Sequence, residues 1–287
     1  MKSPAFKYMR PESLEQALAG LAESEDAIIL AGGQSLVAAL NLRLQAPEVV
    51  IDINHISGLD GVEEVDGTVR VGALVRHATL LAHSQTSRAL PLIAAALPHV
   101  AHPAIRNRGT ICGSLAYADP AAEMPACAIS LDASLVLRNA EGTRALPARD
   151  FYHGLYETER APEELLVEAR FPVAPEGARA IFAEVATRRG DFAVIGLAGQ
   201  LCIEDGHITA FDLVAFGSEP APLLLTDLGA MAVGATPGAS LLRDLAEAVA
   251  DGVDPMESPY ATPQMRRRQY RALARSCLGE AMEVADV

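Results

Sequence analysis

Two short glycine loops constrain this chain more than any other feature of its sequence. "AGGQSL", residues 31–36, follows the apolar run "AIIL" and precedes "VAALNLRLQ", whose apolar residues recur at helical spacing. "GTICGSL", residues 109–115, also precedes helical sequence and leads toward "AAEMPACAISL". Such a loop can turn several backbone N–H groups toward one ligand, and glycine lets the ligand come close. Each loop adds a hydroxyl, Ser35 or Ser114, as a further donor. Taken singly, either loop reads as a tight turn; together they point to a diphosphate shared between them. Neither matches the G-x-x-x-x-G-K-[ST] loop or a G-x-G-x-x-G placed between strand and helix. A nucleoside-triphosphatase and a Rossmann dehydrogenase are thereby excluded.

Charge narrows the ligand. The formal net charge is −14, which argues against a nucleic-acid partner, because phosphate backbones require a basic face. An anion bound here must be held by local groups, and neutral backbone donors suit that task. Half of the 287 residues are apolar, enough to bury a sizeable core. No run approaches the roughly 20 apolar residues of a membrane span, and "MKSPAFKYMRPESLEQALAG" lacks a signal-peptide core, so a cytoplasmic location is expected.

Four cysteines, at 112, 127, 202 and 277, form no C-x-x-C pair, so neither structural zinc nor an iron–sulfur cluster is expected in this chain. His77, His99 and His102 lack metal-ligand spacing and receive no ligand role. No nucleophile with its base and no carboxylate pair at workable spacing is evident, so no catalytic residue is assigned. The chemistry would belong to a bound cofactor.

The organisation reads as α+β. Ser13 is the expected N-cap of a helix reaching Ala22, and "AIIL" and "EVVIDI" are strands around the first loop. From Gly58 a hairpin with an Asp66-Gly67 turn follows, then helices over 79–84 and 91–101. Asp119-Pro120 reads as an N-cap with proline at the first helical position and Glu123 in the first turn. After the linker-like "FPVAPEGARA" come three strands, "AIFAEVAT", "AVIGLAGQLCIE" and "HITAFDLVAFG", and then helices. The expected divisions are 1–57, 58–176 and 177–287.

At these residues the chain resembles a known family. "AGGQSLVAALNLRLQAPEVVIDI" and "IRNRGTICGSLAYADPAAEMPA" resemble the two FAD-binding signatures of the medium, flavin-carrying subunit of molybdenum hydroxylases. That group includes the carbon monoxide dehydrogenase, quinoline oxidoreductase and xanthine dehydrogenase flavoproteins. "TRRGDFAVIGLA" resembles its segment near the flavin ring, and "FKYMRPESLEQAL" its opening. The resemblance implies a vanillyl-alcohol-oxidase-type (PCMH-type) FAD-binding domain of two α/β subdomains. An α+β C-terminal domain with a three-stranded antiparallel sheet and helices would follow.

It also implies roles. Ala31, Gly32, Gly33, Gln34, Ser35 and Leu36 would wrap the FAD diphosphate from one side, and Gly109, Thr110, Gly113 and Ser114 from the other. Ala101 and Ile105 would line the cofactor, and Leu165 and Leu166 would touch its ring or adenine, where the residues alone read as core. Glu123 would contact the adenosine ribose, against its plainer reading as a helix-start acid. Phe192 would sit over or beside the isoalloxazine, against its reading as a core residue at a strand start. Cys112 stands where relatives carry the first glycine of a doublet.

The implied partners are a small subunit with two [2Fe–2S] clusters and a large subunit with the molybdopterin cofactor, two copies of each of the three subunits assembling together. The chain would pass electrons from those clusters through FAD to an external acceptor. A four-cysteine insertion that adds a [4Fe–4S] cluster in the 4-hydroxybenzoyl-CoA reductase branch is missing, which places the chain nearer the carbon monoxide and N-heterocycle branches. The residues themselves leave open a self-sufficient flavoenzyme of the same fold and a non-enzymatic anion-binding module.

Overall fold

The computed structural model describes residues 2–259 and 261–284. Its first sheet is parallel, with strand Val49–Asp52 between Lys7–Met9 and Ala27–Leu30. The helix Leu14–Glu23 packs against it through Ala17, Leu18 and Leu21, and the Ser13 hydroxyl accepts the Gln16 N–H at 3.2 Å, as the sequence predicts. After the first glycine loop the helix Leu36–Leu42 is shorter than its apolar spacing implies. Arg43 adopts a left-handed conformation there, and Leu44 N–H bonds back to the Ala39 carbonyl, which closes the last turn.

The second sheet has five antiparallel strands in the order Val62–Val65, Thr68–Gly72, Leu165–Pro172, Ser134–Arg138, Thr143–Pro147. Its central strand comes last in sequence, so it locks two earlier hairpins together. Asp66 and Gly67, both at positive φ, turn the first hairpin as expected. The intervening helices are His77–Ala82, Thr86–Ala89, Pro91–Ala96, Pro103–Arg106, Ile111–Tyr117 and Glu123–Ser130. The expected helix over 91–101 therefore stops at Ala96, and Ala101 takes a φ of 43° that no right-handed helix accommodates. Asp119 does not cap a helix either. Its carboxylate accepts the Ala121 N–H at 2.9 Å in a turn, and the helix begins two residues later, at Glu123.

The C-terminal sheet contains the three expected strands, Arg179–Ala186, Ala193–Glu204 and His207–Phe216, in antiparallel register. A fourth strand, Leu223–Leu224, pairs with Val214–Ala215, so the sheet is four-stranded rather than three-stranded. Two residues beside Pro220 and Pro222 are too short a run to show alternation. One face of this sheet packs under helices Ala239–Gly252 and Pro263–Met282 through Leu245, Val249, Tyr270 and Leu278. The other face joins the main core through Phe182, Ala198, Val214 and Phe216, with the rings of Phe182 and Phe216 stacked at 6.0 Å. Among the described residues no helix is long and apolar enough to cross a membrane.

A candidate cofactor site where two glycine loops meet

The two loops, remote in sequence, are in contact. A Cβ built on Gly32 would lie 2.5 Å from the Arg108 carbonyl oxygen and 2.7 Å from Gly109 Cα, both backbone atoms, so nothing larger than hydrogen fits. The N–H groups of Gly33, Gln34 and Ser35 have no acceptor among the described residues. Gln34 folds back, its side-chain amide donating to the Gly32 carbonyl at 3.1 Å. Leu36 is buried with Leu40 and Val50, which anchors the helix behind the loop.

On the opposing loop, Thr110 is the N-cap of helix Ile111–Tyr117, its hydroxyl accepting the Gly113 N–H at 3.0 Å. Gly113 therefore spends its N–H within the loop and contributes closeness instead, because a Cβ there would meet the Thr110 hydroxyl at 2.5 Å. Ser114 lies one residue further into the helix. Beneath the loop the His77 imidazole is buried, and its Nδ1 has no partner among the described residues. Burial, helped by nearby Arg106, drops its pKa to about 4, so it is neutral at physiological pH.

A polar chain that the sequence does not announce ties the loops together. Asn54, just past strand Val49–Asp52, donates its amide to the Ala31 carbonyl at 2.8 Å and to Asp52 at 2.6 Å. Its amide oxygen accepts from Arg76 at 2.6 Å, and the other end of the Arg76 guanidinium donates to the Arg108 carbonyl. Tyr8 completes the chain by donating to Asp52 at 2.5 Å. Burial alone would raise the Asp52 carboxyl, but the bonds from Tyr8 and Asn54 outweigh it and hold it below its ordinary value.

The remaining predicted positions fall into two groups. Ala101 lies just before the short helix Pro103–Arg106 and Ile105 lies within it, and Arg106 donates to the Val100 and Ala101 carbonyls at 2.8 and 2.9 Å. The turn that carries Phe192 rests on this segment, since a Cβ on Gly190 would lie 2.7 Å from His102 Cε1. Phe192 is 67% exposed, so it is not a core residue. Leu165 and Leu166, by contrast, are buried in the main core at the start of the central strand. Cys112 is also buried, and burial pushes its thiol up to about 12, which removes a reactive thiolate.

Glu123 is 7% exposed at the first residue of its helix. Burial pushes its carboxyl up to about 7, nearby Glu184 adds to the rise, and its own backbone N–H and His99 oppose it. Glutamate in an unfolded chain titrates near its ordinary value, so between roughly pH 4.5 and 7 the folded state binds more protons. Stability contributed by this group is thus present below the unfolded value and is lost as the pH rises, by at most about 3 kcal/mol. Glu123→Gln is expected to flatten that decline. Thermal melts of the cofactor-free chain at about pH 5 and about pH 8 check this, and an unaltered difference between the two would refute it.

A seat of paired backbone loops with free N–H donors fits a dinucleotide with a diphosphate, and an exposed aromatic ring stands on the turn that packs against the segment beside it. Fold and site together define a nucleotide-binding protein with its diphosphate seat between two backbone loops. Residues 4–174 match the family model for the FAD binding domain in molybdopterin dehydrogenase, and residues 180–281 match the carbon monoxide dehydrogenase flavoprotein C-terminal domain. The chain belongs to the FAD-binding medium subunits of the molybdenum hydroxylases. It is 35% identical over 287 residues to the 6-hydroxypseudooxynicotine dehydrogenase complex subunit alpha of Paenarthrobacter nicotinovorans, covering 99% of this chain and 97% of that one. It is 36% identical to the caffeine dehydrogenase subunit beta of Pseudomonas sp. (strain CBB1), covering 99% and 97%. The crystal structure of quinoline 2-oxidoreductase from Pseudomonas putida 86 superposes with a TM-score of 0.94 at 32% identity, covering 99% of each chain.

Proposed function

We propose that this chain holds FAD with its diphosphate between residues 31–36 and 109–114, and that it relays electrons between partner subunits and an external acceptor. The observation that carries the reading is the backbone contact of Gly32 with Arg108 and Gly109, which makes one seat of two loops. Bound FAD supplies the chemistry, accepting electrons singly and releasing them in pairs. The protein's own residues bind and orient it. Glu123 holds the adenosine ribose, Ala101, Ile105, Leu165 and Leu166 line the cofactor, and Phe192 stands at the isoalloxazine.

Electrons come from the [2Fe–2S] clusters of a small subunit, which are reduced in turn at the molybdopterin cofactor of a large subunit. Two copies of each subunit assemble in the cytoplasm, and divisions at 1–57, 58–176 and 177–287 serve as two halves of the FAD-binding domain and a C-terminal cover. The test is direct. Titrating the cofactor-free chain with FAD is expected to quench flavin fluorescence to a one-to-one end point, and co-expression with adjacent genes to recover iron–sulfur and molybdenum subunits. Absence of FAD uptake would overturn the reading.

A further inference from the structure

Some arginines of the molecule face an acid and others do not. Nine of the described arginines face a carboxylate, among them Arg88 with Glu64 at 2.9 Å, Arg149 with Asp132 at 2.8 Å and Arg271 with Glu247 at 2.6 Å. Among the described residues Arg76, Arg106, Arg108, Arg188 and Arg189 near the site have no carboxylate within ion-pair distance, as is also true of Arg10, Arg43, Arg70, Arg160, Arg243, Arg266 and Arg268 elsewhere. In a chain of net charge −14, two adjacent exposed guanidinium groups without an acid partner favour a negative ligand locally.

Arg76 and Arg106 are spent on the Asn54 amide and on backbone carbonyls. Arg188 and Arg189 are not. Both are exposed, on the turn between strands Arg179–Ala186 and Ala193–Glu204, with the acid Asp191 and the exposed Phe192 following. The turn is held firmly. Gly190 has a φ of 86°, its Cα faces His102 and the Ala101 carbonyl too closely for a side chain, and Asp191 N–H bonds to the Arg188 carbonyl at 3.0 Å. Behind it His99 meets Glu184 at 3.3 Å, so that acid faces an imidazole rather than either guanidinium.

We propose that Arg188 and Arg189 form a cationic lip beside Phe192 that docks a negatively charged external electron acceptor. The proposal rests on the reading that Phe192 stands at the flavin. Opposite charge raises encounter rates most at low ionic strength, and salt screens it away.

The test uses the assembled holoenzyme, titrated to full reduction with dithionite and mixed anaerobically with acceptors of different charge. Two ferricyanide ions each gain one electron as the flavin loses two, and the flavin protons pass to solvent. In the Arg188→Glu/Arg189→Glu protein, reoxidation by ferricyanide at low salt is expected to slow by about tenfold or more. Its salt dependence should reverse, reoxidation by neutral menadione should hold constant, and reoxidation by cationic hexaammineruthenium(III) should quicken. The Arg188→Gln/Arg189→Gln protein, which introduces no new charge, should slow ferricyanide less and leave menadione constant. Equal changes with all three acceptors, an unchanged ferricyanide rate, or loss of partner subunits on mutation would each overturn the lip. Parental holoenzyme that contains no FAD would instead overturn the underlying reading.

Discussion

Gly32→Ala strips FAD from the protein while leaving its fold in place. A methyl group at that position would lie 2.5 Å from one backbone atom of the opposing loop and 2.7 Å from another. Neither atom belongs to a side chain that could swing aside, so the loops must part. Forcing a methyl into a filled space typically costs about 1–3 kcal/mol. If that cost falls on the joined arrangement that binds the diphosphate, FAD affinity drops by roughly ten- to a hundredfold. The flavin-to-protein absorbance ratio after purification and a calorimetric FAD titration measure the loss, and far-ultraviolet circular dichroism measures the retained fold. Gly61→Ala is the control, because a Cβ on Gly61 meets nothing within 4 Å. A Gly32→Ala protein that binds FAD like the parent would show that the loops do not work as one seat.

The contrast between those two glycines shows what a sequence can and cannot display. Local signals were legible: the Ser13 cap, the Asp66-Gly67 turn and the strands around "AGGQSL" all follow from the identities of near neighbours. The glycine loops were visible as candidates for the same reason. Their mutual contact was not, because it depends on the strand Leu165–Pro172 entering the centre of the second sheet and on helices packed far along the chain. Asn54 and Arg76 were invisible on similar grounds. An asparagine after a strand and an arginine before a helix carry no motif, and only the fold brings them within 2.6 Å of each other.

The exposure of Phe192 was ambiguous in sequence for a different reason. An aromatic residue at the start of an apolar strand has the composition of a core position, and burial is decided by the turn's seating on His102 and not by the strand. Leu165 and Leu166 show the converse. Their side chains belong to the main core, so any influence they have on a cofactor acts through the wall they build. Truncating either would be felt first as lost packing.

Arg76→Met is expected to be the most damaging change outside the glycines, because one guanidinium joins groups from three separated segments. It donates to Asn54, which donates to the Ala31 carbonyl of the first loop, and it also donates to the Arg108 carbonyl of the second. Methionine fills similar volume without donors, so the Asn54 amide oxygen and the Arg108 carbonyl lose their partner. An unsatisfied buried polar group costs about 1–3 kcal/mol. The Arg108 end is accessible to water, so the loss should fall mainly at Asn54. FAD affinity is expected to fall by roughly tenfold or more, with a drop in the melting temperature of the cofactor-free chain. Arg76→Lys separates geometry from charge. An ammonium restores the positive charge beside the diphosphate seat but cannot span both oxygens as a planar fork does. The lysine protein should therefore recover affinity at low salt and lose it again as salt screens the charge, whereas the parent should be less sensitive. Full recovery by lysine at every salt concentration would mean that Arg76 acts as a charge alone, and parental behaviour of Arg76→Met would mean that the two loops hold their places without it.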